Sequence, residues 1–260
     1  MVTRGNDIVM VLGGDLHVDR PEPESIFAGI GPFLQEADIL FGNLEMPPTT
    51  VDPTLVEQGL VSPSHSEDRM MAAYTHAGFD AVALANNHAM DHGPAAFVHC
   101  MDLLDGAGIL YSGGGRNLEE ARRPALVEKK GTRVAFLSYT SIFVPSSSAT
   151  QTRPGMATVR VDTFFQPHPF HAEVPGLPPT VLTRPDAEDL AAVEEAVRAA
   201  KADADVVVVS WHWGQSPRAG GLGQPLGVRA GACPCRHRRG GRPCTRAPPA
   251  HAGGSRGLSR

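Results

Sequence analysis

Nowhere in its 260 residues does the chain hold the ~20 consecutive apolar residues that a membrane-spanning helix requires. Its N-terminus, MVTRGNDIVMVLGGD, reaches a glycine turn after the short apolar run IVMVL, so neither a signal peptide nor a membrane anchor is expected. A basic surplus is also missing. The net charge of -5 and pI near 6.1 exclude the electrostatic footprint of a nucleic-acid binder. Cysteine is scarce: of four, Cys100 stands alone in a helical pattern, while Cys233, Cys235 and Cys244 crowd the C-terminus. No disulfide framework spans the chain, which suits a reducing cytoplasm.

What is present is an alternation of apolar runs and amphipathic stretches. DIVMVL (Asp7 to Leu12) reads as a buried strand and ADILFGN (Ala37 to Asn43) as another, with a helix over residues 25–35 between them. SEDRMMAAYTHAG begins on an N-cap serine, Ser66, and stops at Gly78. FDAVALA (Phe79 to Ala85) is a third strand, PAAFVHCMDLLDGAG (Pro94 to Gly108) a helix with proline in its first turn, and ILYSG a short fourth strand. This order predicts an α/β fold whose parallel core is covered by helices on both faces. PALVEKKGTRVAFLSYT predicts two antiparallel strands joined at Lys130-Gly131. Residues 141–185, rich in Pro, Ser and Thr, predict a long surface insertion. DAEDLAAVEEAVRAAKA then predicts a helix, and ADVVVVSWHWG a buried strand.

Polar clusters follow four of these strands. They are GGDLH with Asp15 and His17, GNLE with Asn43 and Glu45, NNHAMD with Asn86, Asn87, His88 and Asp91, and WHWG with His212. In parallel sheets ligands bind in the crevice beyond the carboxyl ends of the strands, so the clusters should converge. Their chemistry favours two divalent cations of the Mn, Fe or Zn type: D-x-H offers a carboxylate and an imidazole to one, Glu45 can bridge, and an asparagine oxygen with a further imidazole suits the second. Two metals ~3.5–4 Å apart can activate a water and clamp the oxygens of a phosphoryl group, and His88 could protonate the leaving group.

GGDLHVDR, ADILFGNLEMP, AGFDAVALANNHAMDHG, LLDGAGILYSGGGRNLEEARRP and ADVVVVSWHWG, in this order, resemble the CapA/PgsA family of poly-γ-glutamate capsule biosynthesis proteins, which is similar to the calcineurin-like metallophosphoesterases. The resemblance covers residues 7 to 218 and implies a four-layer α/β/β/α sandwich. It implies Asp15, His17 and Glu45 as ligands of a first metal, Asn87 and His212 as ligands of a second, and His88 as the proton donor. Asn43, Asn86 and Asp91 would support these ligands or face the substrate. The family's Gly-His-x-His block, which supplies a histidine to each metal, has no counterpart after WHWG, so the sandwich is expected to be incomplete at its C-terminus and the two cations incompletely held. Residues 219–260 contain no Asp, Glu, Lys, Ile or Phe and read as a disordered or out-of-frame tail.

The implied function is a metal-dependent hydrolase of a phosphoester, on a small-molecule or polymer substrate, linked to capsule synthesis. A non-catalytic component that works with other capsule-synthesis proteins is the alternative, and an inactive truncated chain a third. Blander readings hold elsewhere. Asp91 and His92 could orient a ligand imidazole or cap the helix that begins near Pro94, and capping is preferred. The glycines of YSGGGRN form a turn; His168 and His171 lie in a proline-rich segment without a helix to set their spacing; the C-terminal cysteines with His237 are an accidental cluster.

Overall fold

The computed structural model describes residues 7–18, 21–48 and 70–214. All of them fall in one unit, Met1–Gly227; the second unit, Val228–Arg260, and with it the expected tail, lies outside the described residues.

Strand β2 (Ile39–Leu44) is buried along its whole length and explains the layering. It lies between β1 (Met10–Leu16) and β3 (Ala81–Ala83), and β4 (Leu110–Ser112) completes an all-parallel sheet in the order β1-β2-β3-β4. Alternate residues of β2 face opposite ways. Leu40 and Leu44 join Val82 and Leu84 against helix α2 (Met71–Ala77) and helix α3 (Gly93–Ala107), while Ile39 and Phe41 join Ala81 and Ala83 against a second sheet.

That second sheet has the order β11-β7-β6, with β6 (Ala125–Lys129) antiparallel and β11 (Val206–His212) parallel to β7 (Thr132–Thr140). Its inner face stacks Phe136 on Phe41, ring centroids 4.5 Å apart. Its outer face packs Ala135, Leu137 and Tyr139 against α5 (Ala187–Asp203), the long helix that follows the short α4 (Leu118–Arg122) in the chain. The layers are therefore helix, sheet, sheet, helix. The expectation of helices on both faces of the parallel sheet is corrected: strands in sequential order with right-handed crossovers bring their helices to one face, leaving the other to the second sheet.

Several local expectations are met. Gly78 and Gly108 end α2 and α3 in the left-handed conformation, with φ of 82° and 71°. Lys130 and Gly131 both take positive φ, as the two-residue turn between β6 and β7 requires. The helix expected from Asp186 onward is α5, and Asp186 caps it by accepting from Glu188 N–H and Asp189 N–H. Ser66 lies outside the described residues.

Others are corrected. The helix expected over 25–35 is a 3₁₀ turn, Pro23–Phe27, followed by the single-turn α1 (Gly31–Leu34), because Pro32 has no N–H to donate and its ring crowds the carbonyl four residues back. Neither β1 nor β11 is a buried strand. Both are edge strands among the described residues, and Val206 and Val209 are 36% and 41% exposed. Part of the expected 141–185 insertion packs inside: β5 (Gly114–Gly115) pairs with β8 (Gly155–Met156), and Ser147, Ala149, Met156, Ala157 and Val159 are buried. The antiparallel ribbon of β9 (Val161–Gln166) and β10 (Thr180–Pro185), with the residues joining them, is largely exposed.

Between β4 and β5 the chain squeezes past the second sheet at Gly113, where φ is +82° and an added Cβ would lie 2.7 Å from both Ala85 Cβ and Ser138 Cβ. Gly113→Ala is expected to destabilise the fold by about 2–4 kcal/mol, combining a left-handed backbone penalty with overpacking. A fall in denaturant midpoint at unchanged slope would show it; a midpoint within error of the parent would contradict this account.

Candidate functional site

The polar side chains of the four strand ends arise from the same alternation that builds the core. Asn43 shares the inward face of β2 with Ile39 and Phe41, and Asp15 is its register partner on β1. A register shift between Leu12 and Asp15, at Gly13-Gly14, bulges β1 and re-aims Asp15 into the crevice. Asn86, Asn87 and His88 follow β3, and His212 ends β11. The site thus draws on the carboxyl ends of strands from both sheets.

Asp15, Glu45 and His212 offer donor atoms that all lie within 4.8 Å of one another, a group suited to a metal ion. His212 Nδ1 is 3.8 Å from Asp15 Oδ1 and 3.9 Å from Glu45 Oε2. Its other nitrogen, Nε2, lies 2.7 Å from Asn87 Oδ1. A carboxamide oxygen only accepts, so the ring proton sits on Nε2 and the Nδ1 lone pair faces the carboxylates. Asn43 sits among all three: its Nδ2 donates to Asp15 Oδ1 at 2.8 Å and to Glu45 Oε2 at 2.7 Å, and lies 3.4 Å from His212 Nδ1.

At the margin, His88 Nδ1 is 2.7 Å from Asp91 Oδ2, and His88 Nε2 is 3.8 Å from Glu45 Oε1. The carboxylate orients the ring and leaves Nε2 toward the cluster. The preferred reading of Asp91 as a helix cap is corrected: the residue before α3 is His92, which makes no side-chain cap bond, and the Asp91 carboxylate is turned to His88. His17 is exposed and lies outside the group of Asp15, Glu45 and His212.

Two carboxylates and an imidazole fit a divalent cation of the Mn, Fe or Zn type. The described residues gather donors for one such ion. His212 stands with Asp15 and Glu45 in that set, while Asn87 reaches it through the far side of the His212 ring. The residue pattern offered Asn43 and Asp91 only as supporting residues; it did not show the central place of Asn43, or that the imidazole beside Asp91 is that of His88. The i, i+3 spacing of His88 and Asp91 was the available signal for the second.

Burial raises the Glu45 pKa above its ordinary 4.5; Asp15 adds to the rise, while His212, His88 and the Asn43 amide oppose it. A raised acid favours its neutral form, so the stability gained from neutral Glu45 is present below the ordinary value and lost as pH rises through the raised one. Protein held in chelator should therefore lose thermal stability across that interval, Mn²⁺ should restore it, and Glu45→Gln should flatten the profile. Identical pH profiles for Glu45→Gln and the parent would contradict the assignment.

The parallel sheet, its helices and the second sheet form an α/β fold consistent with the metallophosphoesterase type. The sequence profile of the bacterial capsule synthesis protein PGA_cap family matches residues 7–219, and the chain belongs to that family. It is 27% identical over 238 residues to the capsule biosynthesis protein CapA of Bacillus anthracis, covering 89% of this chain and 52% of that one. It is 23% identical over 210 residues to the PGA biosynthesis protein CapA of Bacillus subtilis, covering 80% and 47%. A Mycobacterium tuberculosis protein described as a probable polyglutamine synthesis accessory protein is 34% identical over 138 residues, covering 52% and 30%. The chain spans about half the length of the Bacillus relatives it matches. Among the described residues no helix is long and apolar enough to cross a membrane.

Proposed function

We propose that this chain is a cation-dependent hydrolase of a phosphoester, acting in capsule or poly-γ-glutamate synthesis. The observation that carries the reading is the donor set of Asp15, Glu45 and His212, with His88 held by Asp91 at its margin. Asp15, Glu45 and His212 would hold the cation, which supplies Lewis-acid stabilisation of charge on a phosphoryl group. Asn87 keeps the His212 lone pair on the inner side of the ring. His88, its Nδ1 paired with Asp91, would pass a proton from Nε2 to the leaving oxygen.

A second reading, a non-catalytic partner in polymer assembly, draws on the relative described as an accessory protein of polyglutamine synthesis. Metal analysis of purified protein, joined to turnover of an aryl phosphodiester with Mn²⁺, separates the two. The hydrolase reading expects bound metal, turnover, and loss of both in a folded Asp15→Ala variant. Absence of turnover in metal-loaded protein would sink it.

A further inference from the structure

Asn43 joins groups that would otherwise repel. Its amide nitrogen has two hydrogens, and the oxygens of Asp15 and Glu45 take both. Which end of the carboxamide faces them follows from Asn86, a side chain 0% exposed. Asn86 is fixed by main chain on either side: its Nδ2 donates to Leu44 O at 2.8 Å, and its Oδ1 accepts from His88 N–H at 2.9 Å. Reversing it would set carbonyl against carbonyl and N–H against N–H. Asn86 therefore presents an N–H to Asn43, whose Oδ1 accepts it at 3.0 Å, and Asn43 must turn its NH₂ to the two carboxylates. Asn43 itself is 7% exposed, so water has little part in the choice.

We propose that Asn86 and Asn43 are positioning residues, a buried relay of two amides that carries main-chain register at residues 44 and 88 to the facing of Asp15 and Glu45. Like charges this close would otherwise swing apart or take up a proton. The two N–H donors hold the carboxylates converged, with the His212 Nδ1 lone pair beside them, before any cation arrives. A carboxylate at either asparagine position would break the chain of donors, because it has no N–H to pass on. The inference rests on the cation reading of the site and adds to it the residues that prepare the donor set.

The test uses the full chain and Mn²⁺ alone. Asn43→Leu, close in shape but without donors, should keep its cooperative unfolding and bind Mn²⁺ about 10–100-fold more weakly by calorimetric titration. In chelated parent protein, the Asn43 and Asn86 side-chain amide protons should exchange slowly with solvent by NMR, and Glu45→Ala should speed exchange at Asn43. If Asn43→Leu fails to fold, Asn43→Ser, which cannot reach both carboxylates, takes the same titration with the same expected loss. Parent-like Mn²⁺ affinity in the folded variant, or fast exchange at Asn43 in the parent, overturns the relay while leaving the cation reading standing. Failure of the parent protein to bind Mn²⁺ overturns the cation reading, and with it the purpose of the relay.

Discussion

Phe136→Ala is expected to destabilise the protein by about 3–5 kcal/mol, the upper range for a buried aromatic truncated in a close-packed core. Phe136 is fully buried on the inner face of β7 and lies flat against Phe41, with an interplanar angle of 9°. Around it stand Ile39, Val127 and Val134 together with the small residues Ala81, Ala83 and Ala125. Alanines cannot lean into the space left behind, so the cavity would persist and its full cost be felt. Phe136→Leu keeps most of the volume and should lose the stacking contribution and little else, about 1–2 kcal/mol. Urea denaturation of both variants measures the difference. Equal midpoints for the two would show that the sheets close over the gap and that the stack does not hold them.

His88→Gln is expected to lower turnover of a phosphodiester about 10²–10⁴-fold while leaving Mn²⁺ affinity within a few-fold of the parent. The ring is 43% exposed at the side chain and contributes no atom to the group formed by Asp15, Glu45 and His212. Its removal would therefore subtract the proposed acid and spare the proposed cation donors. Asp91→Asn should give a smaller fall, because it removes the acceptor that fixes the ring's orientation but leaves the imidazole in place. A substrate whose leaving group needs no proton, such as a nitrophenyl ester, should be far less sensitive to His88→Gln than an alkyl ester. Equal losses on both esters would remove His88 from the role of acid.

The parts of this fold that a sequence can carry are those decided by neighbours along the chain. Gly78, the end of the helix at Gly108 and the Lys130-Gly131 turn were legible, since each answers a backbone requirement met within a few residues. The apolar run that opens β2, Ile39–Phe41, announced burial, but not that one face meets helices and the other a second sheet. Which surface covers a strand depends on crossovers longer than any periodicity window. The ribbon of β9 and β10 gave no alternation because both of its faces are largely exposed. At the site, the identities of Asp15, Glu45, Asn87, His88 and His212 could be read as candidates from their places after apolar runs. The grouping of His212 with Asp15 and Glu45, and the bonding of Asn43 to both carboxylates, depend on the bulge in β1 and the stacking of two sheets, which local pattern does not encode.

Asn43 and His212 meet across 169 positions of sequence, and Asn87 and His212 across 125. His212 reaches them only when β11 has docked beside β7 after the α5 crossover, a long-range parallel pairing of the kind that forms slowly because loop closure precedes its reward. Until then the first sheet alone would bring Asp15 and Glu45 together, with Asn43 between them and His88 at the margin, but without the His212 imidazole. The cluster is thus complete only in a chain whose β11–β7 pairing has formed. A cation that needs all three donors can hold only chains whose last described strand is in place, so it would act as a latch on the finished sandwich, slowing its opening more than it hastens its assembly.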